Sequence, residues 1–337
     1  MSTVALCDAR KGITRAVASA LDEIGWPALV DRGAPTLYKV NLTHDLLLPG
    51  AIVSPAVVHA AHRHMASYLG PVVIGETSQV VTDADKAYRA SGFDRLCTHL
   101  GLQWCNMTHH EWIDVTAHGE TLKLPVITQT HQVVNLCVMK THFRSTISGA
   151  LKNFWGFLEG GRERFHPELP TRIAQLHTLI PCRLHIMDAV VAMEGNGPKS
   201  GRPKEVGLVL ASADPVALDA TAARLMGFDP ATIEHIQVCA QRGLGSADPA
   251  RIHLVGDAAD ALAMRFAPAR QNFIARVEAR VRQLRGGGGG GLHGRPLEIL
   301  AWGARQWYRF AYEAFGTRRR VERFLRSTEF DGEWRRR

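Results

Sequence analysis

The chain has 337 residues, of which 46% are hydrophobic and 21% are charged. This composition is that of a globular protein with a sizeable core, and it excludes a collagen-like or intrinsically disordered chain. No apolar run approaches the roughly 20 residues of a membrane span, and the first residues lack the basic-then-apolar pattern of a signal peptide. We therefore expect a cytoplasmic protein.

The net charge of +8 is concentrated at one end of the chain. Residues 285–337 contain 12 arginines against 6 acidic residues, so this segment carries +6 and the rest of the chain only +2. That balance does not support a basic nucleic-acid-binding face on the main domain, and no helix-turn-helix, RNP or zinc-finger pattern occurs. We expect no nucleic-acid partner.

Cofactor motifs are scarce. The six cysteines are scattered without C-x-x-C spacing, which predicts buried free thiols instead of a zinc knuckle or a self-contained iron–sulfur cluster. The run GNGPKSG at 195–201 lacks the G-x-G-x-x-G order of a nicotinamide fingerprint and leads into a strand, not a helix. The sequence leaves the cofactor unknown and a metal open.

In chain order, the first part alternates between strand and helix patterns. Strand patterns at 4–9, 36–42 and 71–77 enclose helical patterns at 13–24 and 55–69. This alternation predicts an α/β fold with a largely parallel or mixed sheet and helices on both faces. The two halves on either side of the centre could also be two similar lobes. Further strands are predicted at 101–107, 121–127, 133–139, 184–191, 205–212 and 252–256, and further helices at 83–91, 170–179, 214–227 and 268–285.

The C-terminal end is predicted to be separate from the α/β core of residues 1–285. Six glycines at 286–291 form a flexible linker, and residues 292–337 form a basic, aromatic helical tail. Residues 285–337 hold nine of the 24 aromatic residues, interleaved with arginines, which is typical of an amphipathic helix on an anionic membrane surface or against a protein partner. The alternative is that the tail folds back onto the core.

The central stretch Met139–His166 has the densest polar chemistry. Ser145 is the predicted N-cap of an amphipathic helix, and one face of this helix carries four positions that are either polar or glycine. Glycine costs about 1 kcal/mol against alanine in a helix, so glycines on that face indicate a close approach by a ligand or by a neighbouring element. The four positions, at spacing i, i+3, i+4 and i+7, are Gly149, Lys152, Asn153 and Gly156.

Three lysines, Lys39, Lys140 and Lys152, predict an anion site, because lysines are rarely buried unless they are paired or functional. A carboxylate or phosphate would be held by these ammonium groups, by two amides and by backbone N–H groups of a glycine-rich loop. In the alternative, the lysines pair with carboxylates in a structural network. The other predicted binding residues are Asn41, Glu76, Asn153, Gly195, Gly197 and Gly201.

For proton transfer, the candidates are His142 and His166 together with Lys140 and Lys152. Imidazole titrates near neutral pH, and neighbouring cations can lower the pKa of a lysine into the range that acid–base catalysis uses. Such a set suits proton abstraction next to a carboxylate, as in isomerases or lyases, and it also suits phosphoryl chemistry. A metal could be held by the two histidines with Asp188 and Glu194, although their spacing matches no known ligand signature.

Six short motifs are spread along the predicted core: K-x-N at 39–41, V-V-I-G-E at 72–76, K-x-H at 140–142, G-A-L-K-N at 149–153, D-A-V-x-x-M-E-G-x-G-P-x-x-G at 188–201 and A-S-x-D-P-V-A-x-D at 211–219. Together they resemble the family called domain of unknown function 362, across nearly all of residues 3–256. The resemblance implies a site but no agreed reaction, and relatives with an added ferredoxin-like cysteine module imply redox or metal chemistry for part of the family. This chain lacks that module.

We therefore expect an α/β enzyme that acts on a small anion by lysine and histidine acid–base chemistry. The competing expectation is a non-catalytic ligand-binding or accessory protein of a redox, metal or membrane-associated pathway, peripheral to the membrane through its tail. The sequence leaves the oligomeric state open.

Overall fold

The computed structural model describes residues 1–79, 82–160, 162–261, 263–269, 303, 306 and 317–327. The strands are β1 (Ser2–Asp8), β2 (Thr36–Lys39), β3 (Val72–Glu76), β4 (Gln103–Asn106), β5 (Trp112–Ala117), β6 (Glu120–Pro125), β7 (Gln132–His142), β8 (Thr146–Ile147), β9 (Leu184–Asn196), β10 (Ser200–Ser212) and β11 (Ile252–Val255).

The α-helices in this part of the chain are α1 (Ile13–Glu23), α2 (Pro55–Met65), α3 (Ala84–Ala90), α4 (Phe93–Leu100), α5 (Ile127–Thr130), α6 (Gly149–Asn153), α7 (Leu169–Leu179), α8 (Pro215–Met226), α9 (Glu234–Gln241) and α10 (Thr317–Ser327). Short 3₁₀ helices cover Ala9–Lys11, Trp26–Ala28, Met107–His109, Phe154–Phe157, Arg162–Glu168, Pro230–Thr232 and Pro249–Arg251.

One nine-stranded mixed sheet organises the fold, with the order β11-β1-β10-β9-β7-β2-β3-β4 and β8 paired to β7. Strand β10 is antiparallel to both of its neighbours, and the other pairs along that order are parallel. This confirms the predicted α/β class. Strands from before and after the centre of the sequence share the sheet, so the alternative of two similar lobes is wrong.

The sheet is covered on both faces. Along β2, Leu37 packs with the layer that contains α6 to α9, whereas Tyr38 packs with the layer that contains α1, α2 and α4. The alternation continues in β7, where Val133 and Val134 belong to opposite layers. Burial on both faces explains why the middle of β7 reads as a nearly continuous apolar run.

The predicted central helix is shorter than its periodicity indicates. Ser145 is not its N-cap; its hydroxyl donates to the carbonyl of Ile147 at 2.8 Å, and strand β8 follows. The α-helix begins only at Gly149, whose φ of +64° lies outside helical values, and it becomes a 3₁₀ helix after Asn153. The apolar spacing therefore reflects burial of the whole segment more than a single long helix.

The glycine-rich run after Asp188 is mostly strand. Strands β9 and β10 have 13 residues each, and Gly195 lies opposite Gly201 in their antiparallel ladder. Only residues 197–199 form the turn. The predicted long loop is thus the end of a hairpin that continues beyond the shorter neighbouring strands.

Helix α8 follows its sequence signals closely. Asp214 Oδ1 accepts the N–H groups of Val216 and Ala217, Pro215 occupies the first turn, and Gly227 ends the helix with φ of +83°. The predicted cap acid, first-turn proline and terminal glycine are confirmed.

At the C-terminal end, helix α10 packs against the layer that contains α1, α2 and α4. Val321 is 2% exposed and Phe324 contacts the same layer, while Arg319 and Arg323 are exposed. This part of the tail contacts the core. The predicted linker at 286–291, most of the predicted helix at 268–285 and most of the tail lie outside the described residues. Within those residues, we find no helix with the length and apolar character needed to cross a membrane.

Candidate functional site

The predicted polar side chains gather at β2, where successive strands are added to opposite sides of the sheet. From β2 the chain adds β3 and β4 on one side, whereas β7 and β9 lie on the other side. In open α/β sheets, ligands bind outside the carboxyl ends of the strands at such a switch point. Lys39 ends β2, while Lys140 and His142 end β7. The structure thus brings the strand-end motifs to one edge.

A chain of buried side chains joins the strands at this edge. Lys140 Nζ donates to Asn41 Oδ1 at 2.6 Å, and Asn41 Nδ2 donates to Asn153 Oδ1 at 2.9 Å. Asn153 Nδ2 donates to Asn135 Oδ1 at 2.7 Å, and Asn135 Nδ2 contacts His185 Nδ1 at 3.0 Å. The order of donors makes His185 Nδ1 an acceptor, so Nε2 carries the proton. Burial lowers the pKa of His185 to about 3, in agreement with a neutral ring.

Lys39 belongs to a structural ion pair. Its ammonium is fully buried, lies 2.8 Å from Glu76 Oε1 and donates to the carbonyl of Val40 at 2.7 Å. Glu76 also accepts the backbone N–H groups of Leu42 and Thr77, so its oxygens are occupied. Burial lowers the pKa of Lys39, and the carboxylate of Glu76 opposes that effect. Lys39 therefore pairs with a carboxylate in a structural network, which was the alternative to anion binding.

Lys140 is held as a cation by uncharged groups. Its Nζ donates to Asn41 Oδ1, to Thr43 Oγ1 at 2.9 Å and to the carbonyl of Ala51 at 2.7 Å. Burial and then the charge of Lys152 keep the pKa of Lys140 well below its ordinary value, which favours the neutral amine. The hydrogen bonds favour the opposite state, because three acceptors are satisfied only by the three protons of the ammonium, and on this geometry we assign the ammonium form. None of the three acceptors is a carboxylate, so this positive charge remains uncompensated by direct contact.

Lys152 differs from both other lysines. Its half-buried side chain makes no hydrogen bond or ion pair with any residue in the described part of the chain, and its Nζ lies 5.7 Å from the ring centroid of Trp155. Burial, followed by the charges of Arg162 and Arg144, lowers the pKa of Lys152 to about 7. Near neutral pH, both the ammonium and the neutral amine are therefore populated.

The two predicted histidines lie around Lys152. His142 is buried and its Nδ1 accepts the N–H of Arg144 at 3.1 Å, so its proton is on Nε2. Burial, then Lys152 and Lys140, keep the pKa of His142 well below its ordinary value, which leaves the ring neutral. The ring of His166 stacks on Trp155 with centroids 5.4 Å apart. Both rings thus border the same cationic cluster.

The glycines of the central segment make room for protein side chains. A Cβ on Gly149 would lie 2.5 Å from Asp219 Cγ, and one on Gly156 would lie 2.7 Å from Lys39 Cε. Of the two explanations for these glycines, close packing is therefore the one that the structure supports. It leaves no ligand contact at these backbone positions.

The glycine-rich hairpin does not present free backbone donors at its first two glycines. The N–H of Gly195 donates to the carbonyl of Ala267 at 2.8 Å, and the N–H of Gly197 donates to the carbonyl of Gly195 at 2.7 Å. Gly201 lies in the β10 ladder. The N–H groups of Gly195 and Gly197 are thus occupied by backbone carbonyl groups, and an anion-binding role for these two glycines stays a prediction.

The two predicted metal ligands have other partners. Asp188 accepts the N–H groups of Ser54 at 2.7 Å and Val190 at 3.0 Å, and burial raises its pKa to about 6. Glu194 pairs with Arg202 at 2.7 Å and Lys204 at 3.3 Å. Across the described ranges, no group of three or more His, Cys, Asp or Glu side chains is arranged to hold a metal ion. All six cysteines are free thiols.

Two residues that support the site were not among the predicted ones. Asp219, fully buried, accepts the N–H of Ala150 at 2.6 Å and of Leu151 at 3.0 Å, and so caps helix α6 from α8. Asn135 occupies the middle of the amide chain. A signal for Asn135 was present, since it is the one polar residue in the apolar run VVNLCVM. Asp219 could be recognised only as a motif position.

Comparison with known proteins adds three findings. Over 121 residues the chain is 36% identical to a thylakoid-associated protein of Synechocystis sp., an alignment that covers 34% of this chain and only 37% of that relative. The lactate racemase apoprotein from Thermoanaerobacterium thermosaccharolyticum superposes with a TM-score of 0.41 and 10% identity, over 72% of this chain and 57% of that chain. Residues 37–224, more than half of the chain and the part that holds Lys39, Lys140 and Lys152, match the family described as domain of unknown function 362, and the chain belongs to that family.

Proposed function

We propose that the cleft at the carboxyl ends of β2 and β7 binds a small anion, a carboxylate or a phosphate, and that the chain is an enzyme that uses Lys152 to move a proton on it. The observation that carries this proposal is the amine of Lys152, which is half-buried among cations and has no acceptor among the described residues. A lysine with a purely structural role is expected to have acceptors, as Lys39 and Lys140 do.

The charge balance of the cleft favours an anion. Lys140 contacts only uncharged acceptors, and Lys152 has no carboxylate partner in the described part of the chain. Each of these charges lowers the pKa of His142, which shows that they act on the same small region. A bound carboxylate or phosphate would relieve that repulsion and would be attracted by the positive potential.

Proton transfer follows from the state of each group. Because the pKa of Lys152 is lowered to about 7, its neutral amine can accept a proton from a bound substrate and return it. The Nε2–H of His142 can donate a hydrogen bond to a substrate oxygen, since its Nδ1 is already an acceptor. Lys152 is thus the better candidate for the proton-moving group, and His142 for a binding and orienting group.

Binding is tested by titrating the protein calorimetrically with lactate, malonate and phosphate, after native mass spectrometry for a retained ligand. Removal of a charged hydrogen-bond donor costs about 1.5–3 kcal/mol, so Lys152→Met is expected to weaken binding about 10- to 150-fold. The matched control is Lys123→Met, since Lys123 is exposed on β6, which belongs to the two-stranded sheet and not to the nine-stranded sheet that carries the cleft. Equal affinities in all three proteins would overturn the proposal.

Catalysis is tested separately from binding. In heavy water, an enzyme that abstracts a proton next to a carboxylate incorporates deuterium at that carbon, which proton NMR detects, and Lys152→Met is expected to abolish incorporation. Binding that depends on Lys152 but is accompanied by no exchange or turnover with any of the anions would favour the second candidate, a non-catalytic ligand-binding protein.

A peripheral membrane location is also part of the proposal. Helix α10 exposes Arg318, Arg319, Arg323 and Arg326, and one relative carries the name of a thylakoid-associated protein. Each arginine near an anionic leaflet contributes about 1 kcal/mol to attraction. The full chain is expected to float with anionic vesicles and a chain lacking residues 286–337 to float less; equal flotation would contradict this location.

A further inference from the structure

Resting on the proposed function, we infer that the substrate class is a small oxo acid and that Lys152 Nζ forms an imine with its carbonyl carbon. The step is balanced within the site: Nζ adds to the carbonyl carbon to give a carbinolamine, and this loses water to give the imine. No oxidant, reductant or second substrate is needed.

The three lysines of the cleft differ in the one property that an imine requires, a nitrogen lone pair that is not used elsewhere. Lys39 is locked in a buried ion pair, and all three protons of Lys140 are donated to acceptors. Lys152 makes neither kind of contact with the described residues, and its side chain is only partly buried. It is therefore the amine in this cleft that an incoming carbonyl group can reach.

The surroundings of Lys152 suit the formation of such a bond. Neighbouring cations and burial favour the neutral amine, which is how lysine nucleophiles are activated. The face of Trp155, 5.7 Å from Nζ, supplies an apolar wall that limits competition from water. None of the three acceptors of Lys140 is a carboxylate, so its positive charge can attract the acid group of the substrate.

The backbone that carries Lys152 is fixed. Helix α6 has only five residues, and the carboxylate of Asp219 accepts its first two free N–H groups at 2.6 and 3.0 Å. The next residue, Asn153, is held in the buried amide chain. The backbone at Lys152 is therefore fixed at the edge of the sheet, so the side chain starts from a defined position relative to the cleft.

The test is reductive trapping on the full chain. The protein is incubated with pyruvate, glyoxylate or 2-oxoglutarate, treated with sodium borohydride and digested for peptide mass mapping. We expect a secondary-amine adduct on Lys152 with at least one of these acids. Lactate should give no adduct, because it has a hydroxyl group in place of the oxo group. Protein that has been denatured in urea before the incubation should give no adduct either. The adduct should also disappear in Lys152→Arg and persist in Lys123→Arg.

The outcomes separate this inference from the proposed function. Anion binding that depends on Lys152, with no trapped adduct from any of the three acids, would overturn the imine and leave the anion site standing. An adduct that forms equally on Lys123 and on Lys152 would also overturn it. The peptide map of the wild-type chain decides the matter even if the Lys152→Arg variant does not fold.

Discussion

Substitution of Gly149 by alanine tests the contact that fixes helix α6. The φ of +64° costs an alanine about 1–2 kcal/mol, because this region is disfavoured for residues with a side chain. The new Cβ would also overlap the Asp219 carboxylate, with Cγ 2.5 Å away, and overpacking of this kind costs about 1–3 kcal/mol. Gly149→Ala is therefore expected to lower the free energy of unfolding by about 2–5 kcal/mol.

Gly101 provides a matched control for the backbone contribution. Its φ is +67°, and a Cβ built there meets no atom within 4 Å, so Gly101→Ala should lose only about 1–2 kcal/mol. Urea unfolding, followed by circular dichroism and by fluorescence to check that the transitions coincide, gives both values. In an Asp219→Ala background the overlap is absent, and the cost of Gly149→Ala should fall to that of Gly101→Ala. Equal costs in the wild-type background would refute the close approach of Asp219.

Three further predictions use other contacts. Lys39→Met is expected to lower the free energy of unfolding by about 3–5 kcal/mol, because it leaves Glu76 buried without its cation, and adding Glu76→Gln should recover part of that loss; urea unfolding with no recovery would contradict the pair. Lactate affinity is expected to fall as the pH rises through about 7, because Lys152 has a lowered pKa and loses its charge there, while the lactate carboxylate stays ionised; calorimetry should find no such fall in Lys152→Met, and a flat wild-type profile would contradict the assignment. Val321→Asp should speed tryptic cleavage within α10 by removing its buried contact. Arg323→Gln, on the exposed face, should leave the rate of cleavage at the other arginines of α10 unchanged.

The sequence predicts best where the signals are local. The acid, proline and glycine that bound α8 act over a few residues, and the sheet class follows from the alternation of short patterns. The strand-end position of Lys39 and Lys140 was also readable, because a polar residue at the end of an apolar run lies at the edge of a sheet. These features need no knowledge of distant partners.

What the sequence does not predict is which partner each side chain finds. Lys140 is separated by 99 positions from Asn41, and Asp219 by 69 from Ala150, so no spacing rule links them. Such contacts decide whether a lysine meets a carboxylate, as Lys39 does, or meets none among the described residues, as is the case for Lys152. Likewise, the glycine-rich hairpin reads as a loop by composition, and only its pairing between β9 and β10 shows that it is strand.

The amide chain has a direction as well as a path. An ammonium group has no lone pair, so Lys140 can only donate, and Asn41, Asn153 and Asn135 must each turn the oxygen toward Lys140 and the nitrogen toward His185. Their dipoles therefore add, and the protein solvates this cation much as water would. A carboxylate in the same place would have cancelled the field of Lys140, whereas aligned dipoles stabilise the charge and leave its attraction available to a ligand.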